Sequence, residues 1–417
     1  MTISIKQRID AVRRGEAPKG YKRSDAGVMP AEWTETELGK IIEFYEEKSK
    51  TDNEYPVLTS ARSGLVLQTD YFDGQVTREE NTGYNIIPYG YVTYRSRSDD
   101  GRFTFNQNKI IEKGIVSCFY PVFRVIDTVA STDFVLCYLN NYLGRQIVKE
   151  IVGTSQLVLS EKKLSALSIP CPDFSEQQKI AEILSTYDRV IDLKQQLLAE
   201  KRKQKQWLMQ KLLSSSDVEN AALTDLCSTI CDGDWIESKD QSEEGIRLIQ
   251  TGNVGVGQYL DKGERAKYIS EKTFTALHCT EVLPGDILIS RLPDPIGRAC
   301  EIPQLSTKAI TAVDCSILRF KNKQIAAYFL QYATSKDYFN KIAVLAGGST
   351  RTRISRKEIE NLLIPIPKDL SSMIAVTSGL SLADKEIYLL EQELEAWQQK
   401  KKALMQLLLT GLVRVNA

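Results

Sequence analysis

A single histidine, His278, serves the whole chain of 417 residues. A triad needs only one histidine, yet the default reading of His278 is a structural or surface residue, and a His-rich metal site is excluded. Cysteine is sparse too: eight residues without framework spacing, read as reduced thiols of a cytoplasmic protein. Cys227 and Cys231 lie four apart with no second pair nearby, which is not a zinc motif. No run of about 18 apolar residues occurs, so no transmembrane helix is expected. The first twenty residues are basic but lack an apolar stretch, and do not read as a secretory signal. Charge of one sign is also lacking. The 54 Lys and Arg balance 54 Asp and Glu, which is mild evidence against a stand-alone nucleic-acid binder.

Signatures of catalysis are missing as well. There is no Walker lysine loop, and the glycines of Thr251–Gly257 (TGNVGVG) are followed by neither lysine nor helix. Neither Asn-Pro-Pro-Tyr nor Asp-Pro-Pro-Phe, the adenine-methyltransferase motifs, is present. Pro172-Asp173 and Pro293-Asp294 begin like a nuclease motif, but no Glu-x-Lys follows at strand spacing, so both read as turns.

What is present is a long helix, twice. Residues 180–213 contain neither Gly nor Pro and are rich in Leu, Lys, Gln and Glu, all good helix formers. Apolar residues recur in alternating steps of four and three, the mark of a coiled-coil seam. At 1.5 Å per residue the helix would be roughly 50 Å long. Residues 376–409 repeat it at an offset of 196, Leu208-Met209-Gln210 recurring as Leu404-Met405-Gln406. The expected seam comprises Leu184, Ile191, Leu198 and Leu208 against Leu380, Ile387, Leu394 and Leu404. Lys194, Lys201 and Lys205 fall on the same seam, so it reads as leaky, and the isolated protein is expected to aggregate.

Between the helices the pattern changes to short strand-like runs punctuated by Gly, Asn and Asp. Strands are expected at 55–59, 86–94 and 114–125, and again at 246–251, 286–290 and 309–320. One helix is expected over 132–151 and one over 324–342. Ile169-Pro170-Cys171-Pro172 and Ile364-Pro365-Ile366-Pro367 close the two globular parts. The expected division is an N-terminal segment 1–30, a first domain 31–173, a helix 174–214, a second domain 215–368, and a helix with tail 369–417. The fold class is α+β: two similar α/β domains separated by two long antiparallel coiled-coil helices, a pseudo-twofold internal repeat.

At this point the chain resembles a known family, the DNA-specificity subunits of type I restriction–modification enzymes. The resemblance spans essentially the whole sequence. It rests on Gly20-Tyr21-Lys22 with Gly27-Val28-Met29-Pro30, Trp33 and Leu38-Gly39; on IPCPDFSEQQKIAEILSTYDRVID at 169–192; on PGDILISR at 284–291; on GGSTRTRIS at 347–355; and on LLLTGLVRV at 407–415. Two departures stand out. The first domain has PYGYVTYR where the second has PGDILISR, and the second long helix lacks the Glu-Gln-Gln start of the first.

The resemblance implies two target-recognition domains, each reading half of a split DNA sequence. The helix pair would be the spacer, and the half-sites would lie on the order of one DNA turn apart (~34 Å). It implies two methyltransferase subunits and two restriction subunits as partners, with S-adenosylmethionine, ATP and Mg²⁺ bound by them and none by this chain, which would contribute no catalysis. The alternative is a coiled-coil scaffold presenting two protein-binding heads without DNA.

Phosphate contacts need Lys and Arg; base edges need Arg, Asn, Gln, Ser and Thr. On loop position and residue type, the candidates in the first domain are Thr59, Arg62, Arg95, Arg97, Arg102, Ser155 and Gln156. In the second they are Thr251, Asn253, Ser290, Arg291, Ser349, Thr350, Arg351 and Arg353.

Overall fold

Asp173 and Asp369, equivalent positions of the repeat, each begin a helix of forty residues: Phe174–Leu213 and Leu370–Leu409. Both helices start ahead of the sequence periodicity, because each Asp caps the first turn. Asp173 accepts from the Glu176 N–H at 2.8 Å and the Ser175 hydroxyl at 2.7 Å. Asp369 accepts from the Ser372 N–H at 2.8 Å and from the Ser371 and Ser372 hydroxyls. These bonds satisfy donors that a helix start otherwise leaves orphaned. The turn expected at Pro172-Asp173 is therefore a helix start.

The computed structural model describes residues 4–72, 80–150, 157–213, 218–347 and 352–415. It divides into two compact units, one of Met1–Leu193 with Leu394–Ala417, the other of Lys194–Glu393. Each unit holds one head and the adjoining stretches of both long helices.

In the first unit the central sheet has the order Phe105–Gln107, Val92–Tyr94, Val122–Val125, Ile42–Tyr45, all antiparallel. In the second it is Ala299–Glu301, Ile287–Ser290, Cys315–Phe320, Cys227–Asp232, again antiparallel. Numbered along the chain, both sheets run 3-2-4-1. The register repeats too: Val92 faces Phe123, and at the equivalent positions of the second head Ile287 faces Leu318. The proline-bearing strands Ser168–Cys171 and Leu363–Pro367 each pair with one other strand, Thr34–Glu37 and Val218–Ala222. An edge position of this kind tolerates the missing proline donor. The α+β class and the internal repeat are thus those the sequence indicates.

Three strand-like runs are split in the structure. Residues 86–94 break at Tyr89-Gly90, where Gly90 has φ +84° and supplies the turn. Residues 114–125 break at 117–121, and residues 309–320 at 312–314. The helix expected over 324–342 is also two, Lys323–Tyr332 and Lys336–Leu345. Ser335 separates them by capping the second, its hydroxyl accepting from the Tyr338 N–H at 3.1 Å.

The long helices run antiparallel within each unit. In the first, Leu184 and Leu408 are buried beside Ile180 and Leu409, and Leu404 packs half-buried against them. In the second, Leu380, Val376 and Met209 are buried, with Leu208 packed beside them. Leu198 is buried, while Ile191, Ile387 and Leu394 are half-buried.

The three lysines are not leaks in the seam, which corrects the sequence reading. Lys194 reaches Glu393 at 2.5 Å, Lys201 reaches Glu386 at 2.7 Å, and Lys205 meets Asp384. Their stems lie in the interface while their ammonium groups find carboxylates on the opposite helix. In the first unit Lys401 meets Asp188. That pair is the repeat equivalent of Lys205–Asp384, with the helices exchanging roles.

The two ends of the chain meet in the first unit. Glu176, almost wholly buried, accepts from the Trp33 indole N–H at 3.1 Å. It also takes both arms of Arg414, Nε at 2.6 Å and Nη2 at 2.7 Å. The paired carboxylate raises the Arg414 pKa further above its ordinary value. Tyr21 donates to the Gly411 carbonyl at 2.8 Å and Arg8 to that of Leu412 at 2.9 Å. Gly411 has φ +67°, and a Cβ there would lie 2.4 Å from Pro30. Among the described residues no helix is long and apolar enough to cross a membrane.

Two outcomes are expected. Glu176→Gln leaves Arg414, a third exposed, with Glu32 as its remaining carboxylate and destabilises the first unit by about 1–2 kcal/mol, read by urea denaturation. The Asp369 carboxylate, held at about 2 by the Ser371 hydroxyl and the Ser372 N–H and hydroxyl, acts as a cap in its charged form. Its contribution is present above the ordinary carboxylate range near pH 4 and is lost as pH falls through about 2. Asp369→Asn, which caps without titrating, should lack that component of acid unfolding in circular-dichroism titrations.

Candidate nucleic-acid interface

The first head gathers arginines from three parts of its chain. Strands Leu58–Ala61 and Gly64–Leu67 form a hairpin whose two-residue tip is Arg62-Ser63, with Gly64 at φ +133°. Asn106 ties the hairpin to the central sheet, its amide donating to the Ser60 hydroxyl and the Ala61 carbonyl, both at 2.8 Å. Arg95 follows the strand Val92–Tyr94, and Arg97 lies on a short strand paired with Leu157–Val158. Arg102 follows a turn at Gly101, φ +75°.

Arg62, Arg95, Arg97 and Arg102 line one cleft of about 570 Å³, together with Tyr71, Ser60, Ser63 and the acidic pair Asp99 and Asp100. All four arginines are exposed. Asp100 organises the rim. It accepts from the Arg102 backbone N–H at 3.2 Å, the Ser98 hydroxyl at 3.0 Å and Arg62 at 2.5 Å. Those bonds hold its carboxyl below the ordinary aspartate range, the Arg102 N–H contributing most. The Arg97 guanidinium lies 4.9 Å from the centre of the Phe119 ring. Thr59 is half-buried in the hairpin strand, next to Ser60. Such a cleft offers planar, forked donors with nearby acceptors, the groups that read base edges and grip phosphates.

Sequence reasoning missed Tyr71, Ser60 and Asp100. Only Asp100 carried a signal, the Asp-Asp-Gly turn. Ser155, Gln156, Ser349, Thr350 and Arg351 lie outside the described residues.

The second head arranges its candidates differently, and three of them point inward. Ser290 is fully buried, its hydroxyl donating to the Leu292 carbonyl at 3.2 Å. Arg291 is buried, bonding Asp232 at 3.1 Å and the Val313 carbonyl at 2.6 Å. Asn253 is buried too. Its amide accepts from the Gln250 N–H at 3.0 Å and donates to the Leu260 carbonyl at 2.9 Å. In this geometry the three hold the head together, whereas the sequence put them on exposed loops. Thr251 is half-buried at the edge of a smaller cleft. Arg353 is exposed, pairs with Asp314 at 3.0 Å and closes a backbone bridge with Gly347.

The motif around Arg291 has a structural explanation. Leu159 donates its N–H to the Ser96 carbonyl, and at the equivalent place in the second head Ile354 donates to the Arg291 carbonyl. Position 291 is thus the second head's Ser96, and its side chain is spent on Asp232. The PGD turn works likewise. Asp286 accepts two bonds from Arg319, at 2.8 and 2.7 Å. In the first head Arg124, at the corresponding place, pairs with Glu43 at 2.6 Å, and Tyr91 stands where the aspartate would be.

Each of the two long helices thus follows a head of the same topology, and the first head carries an arginine-lined cleft. Residues 30–200 match the family model of the type I restriction modification DNA specificity domain. Over these residues the chain is similar to the specificity subunits of type I restriction–modification systems, as the sequence resemblance implies. It is similar to a putative type I restriction enzyme MjaX specificity subunit of Methanocaldococcus jannaschii, 24% identical over 95% of this chain and 97% of that one. The MjaVIII specificity subunit of the same organism is 26% identical over 63% and 66% of the two chains. The fold matches the crystal structure of a type I S subunit from M. genitalium with TM-score 0.56 and 16% identity, covering 90% of this chain and 96% of that one. A chain from a structure describing assembly and conformational transition of a type I system also matches, with TM-score 0.56 and 15% identity, over 92% and 99% of the chains.

The two heads should respond differently to substitution. Arg95→Ala or Arg102→Ala is expected to weaken cognate binding by about 1–3 kcal/mol without changing the melting temperature. Arg291→Ala is expected to destabilise the second unit by about 2 kcal/mol, because it leaves Asp232 with the Ser316 hydroxyl but no cation and the Val313 carbonyl without its donor. Anisotropy titrations alongside thermal melts separate the two cases.

Proposed function

We propose that this chain is the non-catalytic sequence-recognition subunit of a type I restriction–modification complex, and that each head reads one half of a bipartite DNA target. The observation that carries the reading is one head fold used twice with unlike polar surfaces. The framework repeats in topology and register, while the first head exposes Arg95 where the second buries Ser290. A protein that must recognise two different half-sites needs that combination.

The long helices serve as spacer and docking scaffold. Outside the seam they expose Leu193, Leu197, Leu382 and Leu389. Leu382 and Leu389 are seven apart, which places them on one helical stripe. Exposed leucines in such a stripe suit packing by helices of a partner. The partners are two methyltransferase subunits, joined by two restriction subunits, and S-adenosylmethionine, ATP and Mg²⁺ act on them.

Methylation sequencing of the host genome, with and without this gene, tests the reading. The expected result is loss of adenine methylation at one split motif with an internal gap. Unchanged methylation in a host that expresses the gene and its neighbouring methyltransferase would sink it.

A further inference from the structure

The second head carries a cationic cleft that its exposed candidate residues do not account for. A cavity of about 320 Å³ opens beside the turn Thr251–Asn253. Its lining includes Arg247, Lys262, Arg265 and Lys267, and no carboxylate. The first head's cleft, by contrast, is lined by Asp99 and Asp100 as well as arginines.

The floor is built. Arg247 stands on the strand Ile246–Ile249, opposite Tyr268 of the strand Lys267–Ile269. It is 6% exposed, bonds Asp261 through one arm at 3.0 Å, and lies 5.6 Å from the centre of the Tyr268 ring. Lys262, Arg265 and Lys267 stand exposed around it and have no carboxylate partner among the described residues. Lys262 folds back over the turn, and a Cβ built on Gly252 would lie 2.7 Å from its ammonium nitrogen. Asp261 balances Arg247 and Glu264 stands between Gly263 and Arg265, so Lys262, Arg265 and Lys267 leave a local excess of positive charge in a chain of zero net charge.

We propose that this cleft is a seat for the DNA backbone phosphates, gripping the duplex without reading its sequence. The inference rests on the DNA-binding function proposed above. Lysine ammoniums suit a phosphate because they act as mobile point charges, whereas base edges favour fixed forks. The second head thus anchors the duplex here, with Arg247 as the fixed floor and Lys262 and Lys267 as the contacts.

The test is fluorescence anisotropy of the full chain with a labelled random-sequence 30-bp duplex and with the cognate duplex, across a salt series. Lys262→Ala and Lys267→Ala should each lower the slope of log affinity against log salt by about 0.9, and weaken binding about fivefold at 0.15 M salt, equally for both duplexes. Gly252→Ala adds a methyl group where the Lys262 ammonium lies, at ordinary backbone angles, and should lower the slope in the same direction. Lys272→Ala, an exposed lysine outside the cleft, should change nothing.

Variants that melt like the wild type and keep its slope would overturn the proposal. Loss confined to the cognate duplex would overturn it as well, by making the cleft a base reader. Displacement of the duplex by millimolar inorganic phosphate at constant ionic strength would make it a small-anion pocket instead. A wild-type chain without salt-dependent duplex binding would remove the DNA function itself, a failure distinct from a wild type that binds while the variants bind equally.

Discussion

Two forty-residue helices that carry lysine on the seam of a coiled coil can lie side by side only if a carboxylate meets each lysine. That requirement fixes more than stability. The first helix is basic around Lys201–Lys211 and the second acidic from Asp384 to Glu395. An antiparallel arrangement brings Lys194, Lys201 and Lys205 to Glu393, Glu386 and Asp384. Exposed ion pairs add little energy, about 0–1 kcal/mol each, and the leucines of the seam supply the larger share. What the charged pairs contribute is choice, because opposite charges facing each other favour this direction of pairing over one that sets lysine against lysine. The recurrence of Lys205–Asp384 as Lys401–Asp188 gives the stretch in each unit its own copy of the same lock.

The internal repeat is close where it carries the framework and loose where it meets solvent. Helix caps, sheet order, strand register and the bond from the exit loop to the end of the central strand all recur at equivalent positions. The residues around them do not. Arg124 and Arg319 occupy matching positions but choose partners from different strands, Glu43 in one head and Asp286 in the other. Arg298 goes further: buried, it donates to the carbonyls of Val254, Leu292, Pro295 and Thr251 at 2.7–3.0 Å. It binds two loops of the second head into one body. The corresponding stretch of the first head instead leaves Arg97 and Arg102 in solvent.

This contrast explains what is legible in the sequence. Periodicity and the constant offset between copies disclose both long helices and the repeat, because a seam writes its period into the chain over many turns. The helix starts are not legible from periodicity, since Phe174–Lys179 lie outside the apolar repeat and are held by a cap. The three seam lysines read as leaks for a related reason: their partners are remote in sequence, and only the antiparallel register brings them near. In the first head, Arg62, Arg95, Arg97 and Arg102, chosen by residue type at loop positions, line one cleft. In the second head Asn253, Ser290 and Arg291, chosen the same way, are buried. A polar residue at the end of a strand can serve a ligand or the fold, and its sequence neighbourhood does not say which. Asp232 and the carbonyls of Val313, Leu292 and Leu260 decide it, and all are non-local or conformational.

Zero net charge also reads differently once the fold is known. It argues against a surface that attracts DNA from every side, and the clefts make such a surface unnecessary. Fields from separated charges are screened within about 10 Å at ordinary ionic strength, so a duplex senses the local cleft, not the sum over the chain. In the first head, carboxylates share the cleft with arginines and limit its unspecific attraction, which favours groups that bond in defined directions. In the second, cations stand over a buried guanidinium with no carboxylate in the lining, which favours attraction without direction. Acidic residues elsewhere, on the second long helix above all, neutralise the total while remaining engaged with lysines of the seam. The balance of charge in the composition is therefore set by the scaffold, and the affinity for a polyanion by where the unpaired cations remain.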